Sequence, residues 1–239
     1  MAVRAVIFDW GGTLTPWHDV DLVAQWYAYA EVYDPVDAAA LARRLYDREA
    51  ERWSRQRETS GAVSPGALDS LFLDEGIDIN GARHLRALGS YLDFWAPHTG
   101  ADTDALDVLA ALKHRGYRVG VLSNTMWPRS HHEEVFARDN LDEHIDAAVY
   151  TSELSVAKPH ADAFRAILEA LDVAAHEAAF VGDRLWDDIH GAQQAGMRTI
   201  WVPHSQIPRE QVPDDSAQPD VTVQRLLDVF RVIEDWQDA

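Results

Sequence analysis

Apolar residues fall along this chain in two alternating rhythms. Short runs at Ala2 to Phe8, Tyr117 to Leu122, His144 to Tyr150, Ala178 to Val181 and Arg198 to Val202 read as strands. Between them the apolar positions recur at helical spacing. Leu106, Leu109, Ala110 and Leu112 share one face, and Lys113 with Gly116 supplies a helix stop. Phe164, Ile167, Leu168 and Leu171 repeat the arrangement, and Ile189, Ala192, Gln193 and Gly196 place a helix between the last two strands. Strands alternating with such helices predict βαβ units, an α/β fold whose parallel sheet is covered on both faces.

Residues 17–98 break that rhythm, being aromatic-rich and helical with no convincing strand. Leu22, Trp26, Tyr29 and Tyr33 fall on one helical face, followed by Leu41 and Leu45. Ser64-Pro65 resembles an N-cap with a first-turn proline ahead of Leu68, Leu71 and Phe72. Leu85, Leu88, Leu92 and Trp95 give a last helix, ended by Pro97. The aromatic stripe reads as the core of a helical subdomain inserted after the first strand. The chain thus divides into a core of residues 1–16 and 99–239 and a helical cap of residues 17–98. Pro203 to Pro219 reads as a proline-punctuated loop, and Val223 to Trp236 as a closing amphipathic helix.

With 239 residues, 47% of them hydrophobic, the chain can bury a sizeable core. Its net charge of −19 repels nucleic acid and anionic membranes, so neither is expected as a general partner. A metal cation or a small ligand held by a local positive site remains compatible. The absence of cysteine excludes disulfides and thiolate chemistry. Arg4 and Asp9 interrupt the first apolar run, and no stretch approaches the roughly 18 apolar residues of a membrane span. A cytoplasmic protein is the expectation; the oligomeric state is not legible.

Four features each lie just past a predicted strand. Asp9 ends the first run and is followed by Gly11-Gly12; Ser123-Asn124 follows Val119 to Leu122. Lys158-Pro159 opens the helix after the third strand, and Gly182-Asp183 follows Phe180-Val181, with Asp187-Asp188 one helical turn on. Singly these are ordinary turns, surface loops and N-caps. In a parallel sheet, however, all strand C-termini open on one edge, where ligands bind, so the four can converge. The set suits a phosphoryl group. Asp9 would attack phosphorus and form an aspartyl-phosphate. Ser123 and backbone amides would hold the non-bridging oxygens, with Asn124, Gly12 and Thr13 counted among the substrate-binding residues and Lys158 neutralising charge. Asp183 and an acidic neighbour would carry Mg²⁺, a hard cation that prefers oxygen ligands.

With these residues in view, the chain resembles the haloacid dehalogenase superfamily of hydrolases with a helical cap. Phe8-Asp9-Trp10-Gly11-Gly12-Thr13-Leu14 resembles its motif I, Leu122-Ser123-Asn124 its motif II and Lys158-Pro159 its motif III. The run from Val181 to Ala192 resembles its acidic motif IV. The resemblance implies a Rossmann-like core, an aspartate nucleophile and, in most members, Mg²⁺-dependent phosphate transfer on a small phosphorylated metabolite. It also implies a metal set of Asp9, the Gly11 carbonyl, Asp183 and Asp188, the last preferred over Asp187 because it directly precedes Ile189-His190-Gly191-Ala192.

One position departs from the family pattern. Phosphatase members carry a second Asp where this chain has Gly11, and that Asp protonates the leaving oxygen and later activates water. Three readings follow: a phosphohydrolase with an activated substrate or a substitute acid, a metal-independent dehalogenase, or a slow or inactive binder of a phosphorylated ligand. His18, Asp19 and Asp21 are candidate substitutes, and their bland reading is solvated residues at the cap entrance. A phosphonatase needs a cap lysine, and residues 17–98 contain none. The cap instead holds Arg43, Arg44, Arg48, Arg52, Arg55, Arg57, Arg83 and Arg86, of which Arg52, Arg55 and Arg57 are candidates for selecting an anionic substrate tail. Trp127 and Pro128 are candidate cleft residues, and His131-His132, lacking a third ligand, are expected to be exposed.

Overall fold

A computed structural model of the protein describes residues 2–203 and 216–238. Its strands are β1 (Ala5–Phe8), β2 (Arg118–Ser123), β3 (Ala147–Tyr150), β4 (Ala178–Gly182), β5 (Arg198–Trp201) and β6 (Val221–Thr222). They form one parallel sheet in the order β3-β2-β1-β4-β5-β6, a Rossmann-like arrangement. The chain first runs outward from β1 to β3 and then restarts beside β1 at β4. That topological switch point is where open α/β sheets bind their ligands. The register aligns the strand ends there, with Phe8 opposite both Val121 and Val181.

All four residues of β1 are buried, as expected of a central parallel strand covered on both sides. Alternate side chains face opposite layers. Val6 and Phe8 pack with residues of α5 (Ala105–His114), α6 (Arg129–Arg138) and α9 (Asp228–Asp238). Ala5 and Ile7 pack with residues of α7 (Ala161–Leu171) and α8 (Gly191–Gln194). The period of two along a strand thus builds two separate apolar layers.

Between β1 and α5 the chain forms α1 (Leu22–Tyr33), α2 (Ala38–Glu58), α3 (Leu68–Asp74) and α4 (Ala82–Trp95). Their apolar faces make a third cluster around Trp26, Tyr29, Leu45, Phe72 and Tyr91, joined by Met126 from the loop after β2. The aromatic stripe is therefore packing core. Among the described residues no helix is long and apolar enough to cross a membrane.

Several expectations are corrected. A sixth strand exists that the sequence did not announce, because two residues carry no periodicity. Val223 cannot open the closing helix, since its amide donates to Trp201 O beside β5; α9 starts at Asp228. Ser64 caps nothing: its hydroxyl donates to Thr151 O, and α3 begins after Ala67. The buried stripe of α4 is His84, Ala87 and Tyr91, leaving Leu85 exposed, because His84 is buried with Tyr29 as a hydrogen-bond partner at 2.8 Å. A π-helical turn, Leu185–His190, precedes α8 in place of a continuous helix. The loop expected over Pro203 to Pro219 lies for the most part outside the described residues.

His131 and His132 are buried, against expectation. His132 stacks on Tyr150 at 4.4 Å, its Nε2 lies 3.1 Å from Thr125 Oγ1, and its Nδ1 has no hydrogen-bond partner. Burial, helped by His131 and Arg129, pushes the imidazole down to about 3. The folded protein therefore resists a proton that the unfolded chain accepts below about 6.5. Stability should fall as pH drops from about 6.5 towards 3, by about 1.4 kcal/mol per unit from this residue. His132→Phe should flatten the loss of urea-unfolding stability between pH 7 and pH 5; an unchanged slope would show that this histidine is not the source.

Candidate active site

Asp9 is the first residue past β1, and its amide donates to Val181 O of β4, which pins it at the switch point. The chain then closes a tight turn in which Gly12 N donates to Thr15 O and Thr13 N donates to Trp10 O. Gly12 is required twice over. Its φ is +93°, and a Cβ there would lie 2.5 Å from Asp183 Oδ2. Gly182 likewise admits Asp188, since a Cβ on it would meet the Asp188 Cβ at 2.4 Å. The glycines let three carboxylates close on one point.

Asp9, Asp183 and Asp188 are all buried, and one oxygen from each lies within 4.8 Å of the others. Lys158 Nζ bridges two of them, at 2.6 Å from Asp9 Oδ1 and 2.7 Å from Asp188 Oδ1. Asp188 Oδ2 accepts from the Arg184 amide at 2.9 Å, so the π-helical turn fixes that carboxylate from its own backbone. Thr13 Oγ1 lies 3.5 Å from Asp183 Oδ1.

Burial pushes Asp9 up to about 7, with Asp188 and Asp183 adding to the rise and Lys158 opposing it. For Lys158 burial works against the charge, yet Asp188 and Asp9 hold its pKa above the ordinary lysine range. Arg184 is similarly held charged against burial by Asp183 and Asp187. Three buried carboxylates facing one bridging ammonium leave a surplus of negative charge. That hard-oxygen donor set fits a divalent cation.

Asn124 braces Lys158 rather than pointing away from it. Its Oδ1 accepts from Lys158 N at 2.9 Å, and its Nδ2 donates to Lys158 O at 3.0 Å. Gln56 of α2 donates to the same carbonyl at 2.7 Å. This buried contact between the inserted helices and the core had no sequence signal, because a lone glutamine on a charged helix reads as solvated.

A cavity of about 430 Å³ opens over these groups between the sheet edge and the inserted helices. Asp9, Gly11, Gly12, Ser123, Asn124 and Lys158 line it. At Gly11 a Cβ would meet nothing within 4 Å, so space for a side chain exists at that position. Of the candidate substitutes, His18 and Asp19 line the cavity. Asp21 is engaged elsewhere, its carboxylate accepting from the Val23 and Ala24 amides as the N-cap of α1. Asp187 also lines the cavity but does not join the acidic cluster; burial raises it to about 6 against the pull of Arg184.

Four of the eight arginines of the inserted helices hold carboxylates of the same segment. Arg44 and Arg48 both hold Glu75, Arg52 holds Asp74, and Arg43 holds Asp47. Of the expected trio only Arg57 lines the cavity. Trp127 lines it as well, whereas Pro128 does not. Arg184 and Glu49 are lining residues that the sequence did not single out. For Arg184 a signal was present, directly after Gly182-Asp183.

A family model described as a haloacid dehalogenase-like hydrolase matches residues 3–196. The chain is 33% identical over 130 residues to a glyceraldehyde 3-phosphate phosphatase of Pyrococcus abyssi, a match covering 54% of this chain and 53% of that protein. It thus spans about half the length of that relative. A glyceraldehyde 3-phosphate phosphatase of Methanopyrus kandleri is 26% identical over 232 residues, covering 96% of this chain and 97% of that one. Among solved structures, a phosphatase from Thermococcus onnurineus superposes with a TM-score of 0.66 at 19% identity, over 97% of this chain and 98% of its own, a likeness of fold.

Proposed function

The chain belongs to the haloacid dehalogenase-like hydrolases, and from that premise we propose that it is a Mg²⁺-dependent phosphohydrolase acting on a small phosphorylated metabolite. The observation that carries this reading is the buried Asp9–Asp183–Asp188 cluster bridged by Lys158 at the sheet's switch point. Relatives named as phosphatases support the phosphomonoester class. A metal-independent dehalogenase has no evident use for two further buried carboxylates beside its nucleophile.

In this reading an Asp9 oxygen attacks phosphorus, the bond to the leaving oxygen breaks, and that oxygen departs with the electron pair. Water then attacks the aspartyl-phosphate and regenerates Asp9. Lys158 neutralises charge beside the attacking carboxylate, and the hydroxyl of Ser123, a cavity-lining residue, donates to a non-bridging oxygen in this reading. Gly12 and Thr13 hold the turn, since their amides are engaged within it. Asp9, Asp183, Asp188 and the Gly11 carbonyl would hold Mg²⁺, which offsets repulsion between the nucleophile and an anionic substrate. Residues 17–98 act as a cap over a core of residues 1–16 and 99–239, and Gln56 couples the two at Lys158.

Chelation of divalent metal should reduce phosphate release from an activated phosphate to background, and Mg²⁺ should restore it. Metal-independent release of chloride from 2-chloropropionate would instead favour the dehalogenase chemistry.

A further inference from the structure

The cap side of the cavity is walled by aromatic rings, and the polar atoms of four of them, Trp53, Tyr91, Trp95 and Trp127, have partners within the wall. Trp17, Tyr46, Trp53, Tyr91, Trp95 and Trp127 all line it. Trp95 Nε1 donates to Gln25 Oε1 at 2.8 Å, and Trp127 Nε1 donates to the Tyr91 hydroxyl at 3.1 Å. Trp95 and Trp127 meet nearly edge to face, with centroids 5.3 Å apart. Glu49, an acid in this wall, accepts from Gln25 at 2.8 Å and Trp26 at 2.7 Å, with Trp53 as a further donor. The wall therefore offers mainly hydrocarbon and π surface, with His18, Asp19 and Arg57 as polar lining residues and the Arg184 guanidinium 5.3 Å from the Trp17 ring centre. A polyhydroxylated leaving group would lose hydration there and find few partners, whereas a planar ring gains edge and face contacts.

A second observation comes from the chemistry at the other end of the cavity. Gly11 carries no acid to protonate a leaving oxygen. A phenol ionises near about 10, whereas an aliphatic alcohol resembles water at about 16. A phenolate can leave without a proton donor where an alkoxide cannot. The aromatic wall and the missing acid thus select the same ester.

Resting on the phosphohydrolase reading, we infer that the substrate class is an aryl phosphate, a phosphomonoester of a planar aromatic hydroxyl compound whose ring occupies the pocket between Trp53, Trp95 and Trp127. Asp9 displaces the phenolate from phosphorus, the phenolate takes its proton from water, and hydrolysis of the aspartyl-phosphate releases inorganic phosphate.

The test compares Mg²⁺-supported phosphate release from 1-naphthyl phosphate, ethyl phosphate and acetyl phosphate. Acetyl phosphate has the best leaving group, a carboxylate of pKa about 4, and no ring, so activation alone ranks it first. The inference expects kcat/KM for the naphthyl ester to exceed that for acetyl phosphate about tenfold, and that for ethyl phosphate about a hundredfold or more. Trp53→Ala should lower the naphthyl value about tenfold more than the acetyl value, and Trp53→Phe should recover most of that ratio. Acetyl phosphate turned over as well as the naphthyl ester would overturn the aryl class and leave the phosphohydrolase reading standing. No Mg²⁺-dependent release from any of the three would overturn both.

Discussion

Asp9→Asn should lower phosphate release from an activated ester by about 10⁴-fold to 10⁶-fold, the usual scale for loss of a covalent nucleophile. The substitution is nearly isosteric, and an amide oxygen at that position can still accept from Lys158, which lies 2.6 Å from Asp9 Oδ1. It also removes one of three buried carboxylates that repel one another, a repulsion that helps push Asp9 up to about 7. The variant should therefore fold, with a thermal midpoint equal to or above that of the parent. Steady-state phosphate release and a thermal melt on the same preparation separate the two effects. Mass spectrometry of acid-quenched parent protein should show a phosphoryl adduct on the peptide containing Asp9, absent from the variant. An unchanged turnover rate in the variant would remove Asp9 from its assigned role.

Gly11→Asp should raise turnover of an alkyl phosphate relative to an aryl or acyl phosphate by about 10²-fold to 10⁴-fold, the typical worth of general acid–base help. The structure makes this gain accessible. Gly11 lines the cavity, a Cβ at that position meets nothing within 4 Å, and its backbone is outside the left-handed region that would strain a side chain. The difference between esters should arise in the first step, because a phenolate or carboxylate needs no proton to depart, whereas faster hydrolysis of the aspartyl-phosphate raises turnover of every ester alike. Parallel kcat/KM measurements on ethyl and naphthyl phosphate, which report that first step, read this directly. A fall on both esters would show that the open space at residue 11 is used by substrate, and would place the glycine in the binding pocket.

Much of the candidate site's sheet edge was legible from residue types in order. An apolar run ending in Asp9, another ending before Ser123, and a third ending before Asp183 each state where a strand stops, and a parallel sheet collects such stops on one edge. The preference for Asp188 over Asp187 came from family spacing, and the geometry has Asp188 in the acidic cluster while Asp187 faces the cavity beside Arg184. What sequence spacing could not supply was the engagement of each polar group. Asn124, expected on substrate, lines the cavity and also holds the Lys158 backbone. Of the arginines offered for an anionic tail, Arg52 is held by Asp74, whereas Arg57 lines the cavity. His131 and His132, polar neighbours in a polar segment, are buried. In each case the partner lies on another element, and burial depends on which face a helix turns inward.

The sequence by itself determined the parallel α/β sheet, the inserted helices and the strand-end carboxylates, because periodicity and chain punctuation are local properties written in consecutive residues. Tertiary structure alone decided that Gly12 and Gly182 yield their Cβ space to Asp183 and Asp188, that Lys158 bridges two carboxylates, and that Gln56 ties the helices to the core. It also decided that the aromatic rings of the inserted helices face the open space above Gly11. These are contacts between segments far apart in the chain, and their energies depend on distance and burial, which exist only once the chain has folded.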